Sequence, residues 1–221
     1  QFVSIGNGSK ARLNIFDISV PSRKAREKIE SIDGKDPVSD IFLMSKVTEL
    51  LDFFTLFIPT LSRPEGMEQK QILNDAILET YYRFGINEDN DSIWADNYHR
   101  VLKTFPIMSD LLETLTAYAK KGSEAASRLA KIISMLTKGS GAHFNGHTNV
   151  DVNNKFFVVG LEHNTNEFFG LSIYLAMEFV WTKIKEDRSS EKVLIMDEWW
   201  KMAYNKVAAE RTMQIARLAR A

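Results

Sequence analysis

The hydrophobic period changes twice along the chain, and those two changes restrict the fold most. Between Ile41 and Lys138 apolar residues recur every three or four positions, the spacing of one helix face. "IFLMSKVTELLDFFTLFI" (41–58) runs up to Pro59, which removes a backbone donor and clashes with a preceding turn, so the helix ends there. "MEQKQILNDAILETYYRF" (67–84) places Ile72, Leu73, Ala76, Ile77 and Tyr81 on one side, with Gly85 as C-cap. "SDLLETLTAYAKKG" opens on Ser109 as N-cap and stops at Gly122, and "SEAASRLAKIISMLTKG" repeats that plan from Ser123 to Gly139.

The flanks read differently. "QFVSIG" and "RLNIFDI" are strand or loop pieces, and residues 21–40 are polar and turn-rich. After the glycine-rich loop "GSGAHFNGHTN" (139–149) come a β-rich run, "KFFVVGLE" (155–162), and a strongly apolar helix over 166–186. Phe168, Phe169, Tyr174, Phe179 and Trp181 recur along that helix at core spacing. The apolar run Val193–Met196 predicts a buried strand, and 206–221 a further helix. Strands alternating with helices predict an α/β domain with a parallel sheet and crossover helices. The expected division is residues 1–36 with 141–221 as the α/β part and 37–140 as an all-α insertion.

Composition narrows the function classes. Lys and Arg number 28 against 29 Asp and Glu, a net charge of −1, so the whole chain carries no nucleic-acid signature. The cluster Arg23, Lys24, Arg26 and Lys28 suits a solvated helix face. With 44% hydrophobic residues the chain can bury a sizeable core, and without cysteine it has neither disulfides nor thiolate metal sites. The apolar stretch "LLDFFTLFI" (50–58) is too short to span a bilayer, and no signal peptide opens the chain. The chain starts without Met and stops inside a helical pattern, so a piece of a longer polypeptide is expected.

The apolar run 193–196 ends in Asp197 and Glu198. In a parallel sheet, ligands bind beyond the carboxyl ends of the strands. An acid pair there suits magnesium–nucleotide chemistry: the first carboxylate holds Mg²⁺, and the second polarises the attacking water. The same pair could instead cap the following helix. Trp199 and Trp200 read as one core and one interface residue. His143 and His147 flank a loop with no third ligand, so metal ligation is not expected of them. His99 and His163 are isolated, and surface or turn roles suffice for them.

"VLIMDEWWKM" resembles the Walker B box of the TraC-like, VirB-class ATPases of conjugative type IV secretion. "LNIFDI" (13–18) resembles that family's Asn-Pro-Phe-Asp box, with Ile15 in place of proline. "FNGHTNVDVNNKFFVVGLE" (144–162) is similar to its Phe-x-Gly-x-Thr loop and core strand, and "QIARLARA" (214–221) to its Arg-x-x-Arg helix. The resemblance covers nearly the whole chain with the boxes in order. It implies a RecA-like P-loop NTPase sheet, ATP and Mg²⁺ as cofactors, Asp197 on the metal, Glu198 as catalytic base, and Arg217 or Arg220 as an arginine finger. For the arginines the alternative is an exposed basic stripe. The resemblance further implies a homo-oligomer, a hexamer, peripheral at the cytoplasmic face of the bacterial inner membrane beside other type IV secretion components, with DNA within reach. The phosphate-binding Gly-x-x-x-x-Gly-Lys-Ser/Thr is absent from these residues, since "GNGSK" (6–10) and "GKD" (34–36) both depart from it. This chain alone is therefore expected to hydrolyse little ATP. The rival readings are an FtsK/HerA-like or coupling-protein DNA translocase and a non-catalytic α/β interaction module.

Overall fold

The computed structural model describes residues 2–20, 41–150, 156–161, 166–186, 193–197, 209 and 213. Two short strands, β1 (Phe2–Ser4) and β2 (Val158–Gly160), pair in parallel with Phe2 opposite Val158 and Ser4 opposite Gly160. Among the described residues, four α-helices lie between them in sequence: α1 (Phe42–Phe57), α2 (Met67–Arg83), α3 (Met108–Lys120) and α4 (Glu124–Ile133). A long helix, α5 (Asn166–Glu186), follows β2. The basic cluster of 23–28, His163 and the helix expected over 206–221 lie largely outside the described residues.

Local chemistry explains most boundaries. Pro59 starts a short 3₁₀ turn immediately after α1. Past α2, Gly85 adopts φ 68°, the Ile86 amide donates to the Tyr81 carbonyl and the Gly85 amide to Tyr82, the paired bonds of a Schellman stop. Gly122 closes α3 the same way at φ 98°, with Ser123 and Gly122 amides on the Tyr118 and Ala119 carbonyls. Ser123 then turns to its second task and accepts from the Ala126 amide at the start of α4. Ser109 does not cap α3. That helix begins one residue earlier, at Met108, and the Asp110 carboxylate accepts from the Ile107 amide at 2.7 Å.

The larger of two hydrophobic clusters runs through most of the described residues. It joins Val3 and Ile5, the turn residues Leu13, Ile15 and Phe16, the inner faces of α1 to α4, and Phe168, Leu171 and Tyr174 of α5. Its aromatic centre is Phe53, with ring centroids 6.0 Å from Phe144 and 5.9 Å from Tyr174; Phe144 lies 5.9 Å from Phe168 in turn. The segment "GSGAHF" is not an open loop: residues Gly139–Phe144 wind into 3₁₀ turns. Gly141 is required there, because a Cβ would sit 2.1 Å from the Met135 carbonyl oxygen.

The run Val193–Met196 also departs from expectation. It takes no regular secondary structure and joins no ladder among the described residues. Leu194 and Met196 pack on Ile173, Met177 and Trp181 of α5, while Val193 and Ile195 are 87% and 81% exposed. An apolar run reads the same whether one or both faces are covered, so its sequence predicted a burial that only alternate residues receive. No helix among the described residues is long and apolar enough to cross a membrane.

Candidate functional site

Asp197 stands in the turn that follows the apolar run and is exposed. Glu198, Arg217 and Arg220 lie outside the described residues, as do Trp199 and Trp200. Among the described residues no group of three or more His, Asp and Glu side chains could hold a metal.

What the structure does bring together are the two boxes separated by more than a hundred residues, "LNIFDI" and "FNGHTN". The Thr148 hydroxyl donates to an Asp17 carboxylate oxygen at 2.6 Å, and the Asn14 side-chain amide donates to the other oxygen at 2.8 Å. The Asn14 backbone amide donates to Thr148 Oγ1 at 2.9 Å. One residue along, the Arg12 amide donates to Asn149 Oδ1 at 2.7 Å, and the Asn149 amide returns a bond to the Arg12 carbonyl at 3.2 Å. These two segments flank the sheet in sequence: 5–18 leaves the carboxyl end of β1, and 145–150 leads toward β2.

The helices grip the same turn. The Asn14 side chain also donates to the Pro106 carbonyl at 2.9 Å, and the Tyr81 phenol of α2 donates to the Phe16 carbonyl at 2.6 Å. Lys46 of α1, buried along its length, donates to the Ile15 carbonyl at 3.3 Å and pairs with Glu49 at 2.8 Å. Burial lifts Asp17 above the ordinary carboxylate range. Hydrogen bonds from Thr148 and Asn14 and the charges of Lys46 and His147 pull it back only in part.

His143 is buried between Phe144 and Phe168, with Nδ1 3.0 Å from the Ser140 carbonyl and Nε2 3.2 Å from Ser172 Oγ on α5. Burial pushes its imidazole down to about 4, so the ring is neutral near neutral pH and ties the 3₁₀ segment to α5. His147 is exposed on the following stretch. Asn145, between them, accepts from the Ser109 amide at 3.0 Å and so supplies from a distance what Ser109 was expected to supply for α3. Both boxes stand out in the sequence, but nothing in it singles out Asn14, Asp17, Thr148 and Asn149. Their signal was compositional: short polar side chains set among buried apolar ones.

No family model matches the chain, and no curated protein matches it. Among solved structures, VirB4 of Thermoanaerobacter pseudethanolicus aligns over 97% of this chain and 76% of its own length. The sequence identity is 20% and the TM-score 0.69. The chain has the fold of VirB4. The likeness spans the strands, the helical segment and α5 together, since 97% of the residues take part. The class of protein that the sequence boxes resemble and the protein whose fold the chain shares are thus the same.

Proposed function

We propose that this chain is the C-terminal part of an ATPase that energises conjugative type IV secretion. Fold alone does not fix function. The observation that carries the reading is the VirB4-like fold over nearly the whole chain, in which a carboxylate, Asp197, closes a short apolar run. Magnesium that arrives with a nucleotide takes one or two protein carboxylates and otherwise phosphate oxygens and water. Asp197 is exposed at a turn and offers one hard oxygen donor, which fits.

Mg²⁺–ATP, when bound, supplies the phosphoryl group that is transferred to water. In this reading Asp197 orients the metal, and Glu198 accepts a proton from the attacking water. Arg217 or Arg220 places a permanent cation at a neighbouring copy's nucleotide, where charge develops. The RecA-like sheet, the homo-oligomer and its place beside other secretion components at the inner membrane belong to the same proposal. So does the division into 1–36 with 141–221 for chemistry and 37–140 for recognising neighbours.

The test is made in the longer polypeptide that carries a phosphate-binding loop. Glu198→Gln keeps nucleotide binding and stops turnover, because the amide keeps the shape and loses the base; Asp197→Asn weakens magnesium–nucleotide binding instead. Arg217→Ala or Arg220→Ala subunits, inactive alone, recover some turnover when mixed with Glu198→Gln subunits. Wild-type turnover by Glu198→Gln would end the catalytic assignment.

A further inference from the structure

Asp17 is a carboxylate that none of these steps uses, and it is held at a cost. It is half-buried, burial lifts its pKa, and it nevertheless sits where five elements converge. Thr148 and Asn14 donate to its two oxygens, Lys46 of α1 and Tyr81 of α2 fasten the carbonyls of Ile15 and Phe16 beside it, and Asn14 reaches the Pro106 carbonyl ahead of α3. A turn that needed only to be tied down could use a neutral side chain. Ionisable groups kept against desolvation concentrate where geometry matters to function.

We propose that Asp17 and Thr148 are positioning residues for the nucleotide site. Their hydrogen bond locks the segment leaving the carboxyl end of β1 against the segment leading to β2. Only the segment leaving β1 lies at the carboxyl edge, where parallel sheets bind ligands; α1 and α2 fasten it from the helical side, and Thr148 fastens it from the segment that leads to the amino end of β2. This rests on the ATPase reading above. Neither residue touches the reacting atoms; both act through the spacing of the backbone they fasten. Coupling of this kind is established by showing that two groups act as a unit, since adjacency alone does not.

The experiment uses the longer polypeptide with its phosphate-binding loop and reads two quantities, amide exchange and steady-state ATP hydrolysis. Thr148→Val removes the hydroxyl and keeps the shape. Exchange at the amides of Arg12, Asn14 and Asn149 should rise by about tenfold, the scale of one hydrogen bond to a charged group. kcat should fall by about tenfold with KM for ATP changed less than twofold, because misplacement of a site costs rate more than binding. Thr148→Ser should restore both. Asp17→Ala should match Thr148→Val, and the double variant should be no slower than the slower single one. The proposal is overturned if kcat stays at the wild-type value while exchange rises, if serine fails to rescue, or if the two losses add. Glu198→Gln run alongside separates the two failures. A dead Glu198→Gln with an unaffected Thr148→Val sinks the positioning role alone, whereas an active Glu198→Gln sinks the ATPase reading itself.

Discussion

The phenol of Tyr81 donates to the carbonyl of Phe16 across 2.6 Å, both residues being fully buried, and so bolts α2 to the turn that follows β1. Tyr81→Phe keeps the ring, which lies 6.2 Å from that of Phe16, and removes only the donor. A buried carbonyl left without its partner costs about 1–3 kcal/mol. The unfolding free energy should fall by that amount, seen as a lower denaturation midpoint with an unchanged slope. An unaltered midpoint would mean that the carbonyl finds a replacement.

Asp17 should reveal a conflict between stability and function. Its carboxyl is lifted above 3.8 in the folded chain, so the folded state holds the proton more tightly than the unfolded state. Stability from this group is therefore present at low pH and is lost as pH rises through the lifted value. Asp17→Asn mimics the protonated form. It should equal or exceed wild type in melting temperature at pH 7 and lose that advantage below pH 3.8, which paired melts across pH will check.

His143 works with the opposite sign. Its imidazole is pushed from 6.5 down to about 4, so the unfolded chain takes up a proton first as pH falls. The stability contributed by the neutral ring is complete above 6.5 and drains away toward 4. Against His143→Gln, which cannot titrate, wild type should lose relative stability through that interval. Parallel urea midpoints at pH 7, 5.5 and 4 would show it, and a constant gap would argue that the ring is not held neutral.

Gly141→Ala tests the 3₁₀ segment. The added Cβ would meet the Met135 carbonyl oxygen at 2.1 Å and the Leu136 Cα at 3.0 Å, both backbone atoms that cannot swing aside. Forcing atoms into a filled site costs about 1–3 kcal/mol. Gly122→Ala provides a contrast, because no atom lies within 4 Å of its Cβ and only its φ of 98° resists. A melt in which Gly141→Ala is as stable as wild type would show that the segment relaxes.

Helices were legible because their signals are local. The stop of α1 before Pro59, the Schellman turns at Gly85 and Gly122 and the Ser123 cap all depend on residues within one turn of each other. The start of α3 was misread because its partners are not local: Asp110 reaches back to Ile107, and Asn145 arrives from 36 positions away to take the Ser109 amide. The 3₁₀ winding of Gly139–Phe144 was hidden for a related reason. Its glycines signal a loop, yet Gly141 is there to let the segment press against Met135. The Asp17–Thr148 contact, closed over 131 positions, could not be read, since nothing in either box names the other.

The outward side of the run 193–196 governs how the chain must be handled. Val193 and Ile195 turn β-branched side chains to water, and Phe2 of β1 is also exposed. A short, uncharged, water-facing apolar run of this kind invites the addition of an extended segment of another chain, so concentrated samples should gel or precipitate through it before they unfold. Replacing Ile195 by lysine would act as a gatekeeper at an exposed position between the two residues that pack on α5, and solubility limits measured for the two chains would show whether this short run sets the shelf life of the protein.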